Sequence, residues 1–224
     1  FQTSQKFEKS HFTRVDSDVI DRLIVKEDQK SEELADTKRE ILSTVFSGQL
    51  PKVQKTEFHV ETQAMGETAA PIVITQAEYM RRMKEMANIQ PGMSFYGEMP
   101  SMFNLVLNSD HRLIKQVLED AESACSEKLV PVESEIAMLK LRENELHKAH
   151  EGKKDEEIPT TEKDELHDVE KKLDEQKKQK TDIINEYAAG NKVVHQLIDL
   201  ALLQNNMLKG EALTNFVKRS IELI

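Results

Sequence analysis

The sequence predicts an α+β chain. It reads as a small three-stranded antiparallel sheet with helices, an inserted antiparallel helical hairpin of coiled-coil type, and a closing helical hairpin. Three observations carry this. Short segments at 52–61, 70–74 and 101–107 alternate or are rich in β-branched residues. The segments around them repeat apolar residues every three or four positions. Residues 125–187 keep heptad spacing and carry 18 acidic and 12 basic side chains, 30 of 63. Such a charge density does not belong to a globular core.

In chain order, residues 1–15 are polar with scattered aromatics, a lead-in from a preceding domain. From Asp16 the pattern turns helical, with Val19, Ile20, Leu23 and Ile24 on one side. A second helix over Ser31–Phe46 groups Leu34, Ile41, Leu42 and Val45, and Ser47-Gly48 stops it. Lys52–Glu61 alternates as a half-buried strand, and Ala70–Ile74 is a short β-branched one. Their closeness in sequence predicts an antiparallel pair across the Gly66 loop.

Thr75 and Glu78 form a capping box for a helix over Gln76–Asn88, ended by Gln90-Pro91-Gly92. Ser101–Leu107 is the third strand. Asn108-Ser109-Asp110 opens a helix with Leu113, Ile114, Val117 and Leu118 inward.

The rod follows. Val132, Ile136, Leu139, Glu143, Leu146 and His150 occupy a and d positions of its first half. Leu166, Val169, Leu173, Gln176, Lys180, Ile183 and Tyr187 occupy those of its second. A polar turn at Glu151–Pro159 lets the halves fold back on each other. The polar seam residues Glu143, Gln176 and Lys180 predict a solvated rod. Beyond it, Val193, Val194, Leu197, Ile198, Ala201 and Leu202 cover a wide face. Gly210 breaks that helix, and Leu213, Phe216, Val217, Ile221 and Ile224 line the last one. An apolar face this wide needs covering on several sides, which points to a second copy of the chain.

Composition excludes several function classes. The chain has 224 residues, 25.7 kDa, a net charge of −10 and no Trp. That charge argues against nucleic acid as a partner. No apolar run of about 18 residues exists, so no membrane span is expected. Cys125 is the single cysteine, which rules out an intrachain disulfide or a thiolate zinc site and suits a reducing cytoplasm. The chain starts at Phe1, without an initiator Met or a signal pattern, and reads as a piece of a longer protein.

No phosphate loop, nucleophile elbow or zinc-protease motif occurs. Asp110-His111 reads as a helix start with Asp as cap, not as a catalytic pair. His147, His150 and His167 lie near the rod's tip, but a solvated surface accounts for them, so no metal is assigned. Cys125 reads as a small buried or linker residue. The methionines are more telling. Six of nine lie between 80 and 102. Clustered Met suits adaptable apolar surfaces, although its helical spacing also fits ordinary core packing.

Four segments occur in a telling order. They are Phe12-Thr13-Arg14-Val15-Asp16-Ser17, Ile72-Val73 before the Met-bearing helix, Phe103 through His111 (Phe-Asn-Leu-Val-Leu-Asn-Ser-Asp-His), and Ala201-Leu202-Leu203 before the last helix. Together they resemble the C-terminal domain of the heat-shock-protein-90 family of chaperones, in its bacterial form. The resemblance covers about residues 12–124 and 188–224.

The resemblance implies a dimerisation domain over 16–124 and 188–224, into which the 125–187 hairpin is inserted. The last two helices would pair with their copies as an intermolecular four-helix bundle. Val194, Leu197, Ile198, Ala201, Leu202, Phe216, Val217 and Ile221 would form the homodimer interface. It further implies binding of unfolded or partly folded client proteins along the Met helix, with Met80 as the matching residue. Tyr79, Met83 and Met86 extend that face. The family's ATPase, with ATP and Mg, belongs to domains outside this chain, so the fragment is expected to be no enzyme and to hold no cofactor itself. The rod has no counterpart in the usual bacterial pattern. The chain ends at Ile224 without the acidic tail that docks tetratricopeptide co-chaperones, so none is expected. An alternative function is a coiled-coil scaffold whose rod binds a protein partner.

Overall fold

A computed structural model describes residues 34–51, 56–76, 82, 83, 86, 100–153 and 158–222. The elements run α1 (Asp36–Ser47), β1 (Thr56–Gln63), β2 (Ile72–Thr75), β3 (Ser101–Asn108), α2 (Arg112–His150), α3 (Thr160–Gly190), α4 (Lys192–Gln204) and α5 (Glu211–Glu222). The fold is α+β, with five helices and a three-stranded sheet among the described residues. The predicted helix from Asp16 and most of the Gln76–Asn88 helix, including Tyr79 and Met80, lie outside them. The chain divides into two compact units. One comprises the residues up to Leu118 together with Asn191–Ile224, and the other is Glu119–Gly190.

In the first unit the sheet is mixed, not antiparallel. Its order is β1-β3-β2, so β1 and β2 do not pair with each other. β3 lies between them, parallel to β1 (Thr56 opposite Ser101) and antiparallel to β2 (Ile72 opposite Leu107). The physical reason is in β3 itself. Leu105, Val106 and Leu107 are all buried, so both faces of this strand are covered. A continuous apolar run of that kind belongs at the centre of a sheet, and an alternating one at its edge. Closeness in sequence favoured a β1–β2 hairpin, but burial of β3 decides the order.

Helix α1 lays Ile41, Leu42, Val45 and Phe46 against the core, all buried, and packs on β1. It ends at Ser47 as its sequence predicts. Gly48 keeps a right-handed conformation (φ −67°), and its N–H still donates to the Thr44 carbonyl at 3.2 Å.

Helix α2 is a single element of 39 residues. The sequence suggests a short helix from Asn108 and a separate rod from Cys125. Nothing between Glu119 and Ala124 breaks a helix, and the backbone continues through. Pro131 lies inside it and deletes one ladder hydrogen bond without ending it.

In the second unit, α2 and α3 lie side by side. Lys128 pairs with Glu186 (3.0 Å), Lys180 with Glu133 (3.1 Å), Arg142 with Glu165 (2.6 Å) and His150 with Glu162 (3.1 Å). Residue numbers rise on one helix as they fall on the other. Every predicted seam position is buried or half-buried. From Lys180 onward the buried residues are Lys180, Ile184 and Ala188, a four-residue spacing. At this end the fully buried residues follow the stripe of a straight helix face, and Ile183 and Tyr187 of the heptad spacing are half-buried. The polar seam residues behave differently from one another. Lys180 is buried with its ion pair, while the buried Gln176 Oε1 has no hydrogen-bond partner among the described residues.

Candidate functional site

Among the described residues, the features that stand out are the faces of α4 and α5. Helix α4 starts at Asn191, whose Oδ1 accepts from the Val193 and Val194 N–H groups at 2.9 and 3.1 Å. This is a standard side-chain cap for orphan amides. The helix is apolar enough to be covered broadly. Val194, Leu197, Ile198, Ala201 and Leu202 are all buried within one chain. Helix α4 contacts β2, α1 and α5. These five predicted interface residues therefore serve the core of the single chain. Leu200 and Leu203 remain exposed on α4.

The turn after α4 uses Asn206 and Gly210, both left-handed (φ 56° and 59°). The Met207 N–H donates to the Leu202 carbonyl at 2.8 Å, and the Asn205 side-chain amide donates to the Ala201 carbonyl at 2.9 Å. These bonds satisfy carbonyls that the helix end would otherwise leave open.

Helix α5 is amphipathic in an inverted sense. Its polar side is tied to α4. Arg219 donates to Gln196 Oε1 (3.1 Å) and to the Asp199 carboxylate. The Gln196 amide donates to Ser220 Oγ at 2.6 Å, and Lys192 pairs with Glu222 at 2.7 Å. The Lys192 ammonium holds the Glu222 carboxyl below its ordinary range. Its apolar side faces away from these bonds. No residue of α5 is buried. Leu213 is 36% exposed, Val217 49% and Ile221 69%, and Phe216 is half-buried. A stripe at i, i+4 and i+8 left open is what a helix shows when its cover is missing.

Of the Met-helix residues, Met83 is half-buried and Met86 is exposed. Tyr79 and Met80 lie outside the described residues. Met102, the last of the six clustered methionines, is left 47% exposed on β3.

The remaining candidates take structural places. Asp110 does not pair with His111. Its Oδ2 accepts from the Gly66 N–H at 2.8 Å, and the helix start is capped by His111, whose Nδ1 accepts from the Leu113 N–H at 3.1 Å. The expectation that Asp110 caps the helix is thereby corrected: the ring nitrogen is better placed, and the carboxylate is used by the Gly66 loop. Asn108, fully buried, completes that loop's anchor. Its Oδ1 accepts from the Met65 and Asp110 N–H groups (both 3.1 Å), and its Nδ2 donates to the Gly66 carbonyl (2.8 Å). Gly66 adopts φ 86°, where a side chain would be strained. Cys125 is buried, and that burial pushes its thiol pKa up, which keeps it protonated and unreactive.

The three rod histidines do not converge. His150 pairs with Glu162, and the cluster that does form is Glu143, His147 and Glu170, with ligand atoms all within 4.8 Å of one another. The sequence concealed this because Glu170 comes from the other helix and lies outside the predicted seam. No described helix is long and apolar enough to cross a membrane.

Comparison with known proteins separates fold from family. No family model and no solved structure matches. Chaperone protein HtpG of Bacteroides fragilis is 67% identical over 220 residues, 98% of this chain. HtpG of Bacteroides thetaiotaomicron is 65% identical over the same share, and that of Porphyromonas gingivalis 45% over 223 residues. Covering 98% of the chain, these matches take in most of residues 125–187. The chain spans 32% of the length of each. Along nearly all of its residues the chain is thus similar to HtpG chaperones, as a segment matching about a third of their length.

Proposed function

We propose that this chain is a dimerisation and client-binding segment of an ATP-dependent chaperone, acting without covalent chemistry in the cytoplasm. The observation that carries the reading is α5. Its polar side is bonded to α4 while Leu213, Val217 and Ile221 are left open and Phe216 is half-buried. Two copies of the α4–α5 hairpin meeting on those faces make an intermolecular four-helix bundle. The five buried α4 residues fix the hairpin's shape from inside. ATP and Mg act in the rest of the protein, and dimerisation holds two such arms at a high effective concentration.

The Met face around Met83 and Met86, with Tyr79 and Met80, offers clients an adaptable apolar surface. Met83→Ser with Met86→Ser is expected to weaken binding of an unfolded model client by about tenfold, roughly 1.4 kcal/mol. Fluorescence anisotropy with a labelled unfolded protein reads this, and an unchanged affinity removes these residues from the client surface.

The α2–α3 pair supports an antiparallel coiled-coil reading of the hairpin through its cross-helix ion pairs. A second function is favoured by Val130, Met138 and Leu141, each more than 60% exposed on α2. They suit a scaffold that binds a protein partner through the rod. Glutamates at these three positions are expected to leave the dimer intact, and loss of a rod-bound partner in the same variant would establish the scaffold role.

A further inference from the structure

We propose that Glu143, His147 and Glu170 form a divalent metal site of the zinc class that ties α2 to α3. Glu143 and His147 are four residues apart, so both project from one face of α2. Glu170 approaches from α3. One ligand atom from each lies within 4.8 Å of the other two, with Glu143 half-buried and His147 exposed.

Charge gives a second, independent reason. Elsewhere along the pair, the cross-helix contacts set acid against base: Glu186 against Lys128, Glu133 against Lys180, Glu165 against Arg142. At this level acid meets acid. Among the described residues, none of the three has a hydrogen bond or ion pair, although the rod is rich in lysine. Two carboxylates from opposite helices brought together without a cation repel each other. A dication removes that repulsion and satisfies all three donors at once.

The donor set selects the ion. One imidazole nitrogen with two carboxylate oxygens suits zinc-like divalent metals, while all-oxygen sets suit magnesium and calcium. Three protein ligands with a fourth place for water is a familiar zinc arrangement. Because the ligands come from both helices, a bound ion staples the hairpin, and binding to the folded form alone raises its stability.

The test is isothermal titration of the full chain with Zn²⁺, alongside thermal melts. The expected result is one tight Zn²⁺ per chain, with a melting temperature that rises on adding zinc and no response to Mg²⁺. Glu143→Gln, His147→Ala and Glu170→Gln each weaken binding by more than about tenfold. They also abolish the zinc-dependent rise in melting temperature. Glu170→His, which restores a ligand from α3, keeps both, and His167→Ala changes neither. Far-UV circular dichroism confirms that the variants are folded. Zinc binding unaffected by the three ligand changes, loss of zinc with His167→Ala, or no zinc binding by the unaltered chain overturns the proposal.

Discussion

Val217→Glu combined with Ile221→Glu is expected to turn a dimeric chain into a monomeric one without unfolding it. These side chains are 49% and 69% exposed in the single chain. Covering the rest of each is worth on the order of 1–2 kcal/mol at about 25 cal/mol per Å². A two-fold interface uses every residue twice, so each substitution counts on both sides. Carboxylates placed there face their own copies and must also be dehydrated. Together the two changes cost about 4 kcal/mol or more, roughly a thousandfold in Kd. Neither side chain is buried within the chain, so its own core is untouched. Light scattering over a concentration series reads the change. A double variant that associates like the original chain moves the interface elsewhere.

Asn108→Ala is expected to destabilise the first unit strongly while leaving the α5 face as it is. Asn108 is fully buried, and its amide makes three hydrogen bonds, to Met65, Gly66 and Asp110. Alanine removes all three and strands the Gly66 carbonyl and two N–H groups. An interior polar group left unpaired costs about 1–3 kcal/mol. Water reaching the half-buried loop offsets part of this, which puts the total at about 2–4 kcal/mol. Urea unfolding followed by circular dichroism should show the midpoint fall with an unchanged slope. A midpoint like that of the original chain would mean the loop is held by other bonds.

This residue also shows what was legible from sequence. The Leu-Asn-x-x-His segment marked the family, yet the sequence could not say why Asn and His stand there. Asn108, with Asp110, fixes the loop at Gly66, 42 residues away from Asn108 in sequence, while His111 caps the start of α2. The helices were readable because their spacing is local: α1, α4, α5 and the two rod helices follow their apolar periods. Strand order was not, because the parallel pairing of β1 with β3 is set by a distant segment. The run Leu105-Val106-Leu107 was the available signal for a central strand. Sequence called for cover of α4 on several sides, including a second copy, and β2 and α1 supply part of that cover within the chain. Among the described residues of α5, Leu213, Val217 and Ile221 remain exposed, and α4 leaves Leu200 and Leu203 exposed. The Glu143–His147–Glu170 cluster escaped for a similar reason, since Glu170 sits outside the heptad seam.

The central claim is that the open face of α5 is a seam between two copies of this chain. Sedimentation equilibrium of the unaltered chain at micromolar concentration tests it most directly. The account predicts a mass of twice 25.7 kDa, approached as concentration rises. A mass that stays at 25.7 kDa across the whole concentration range would contradict it.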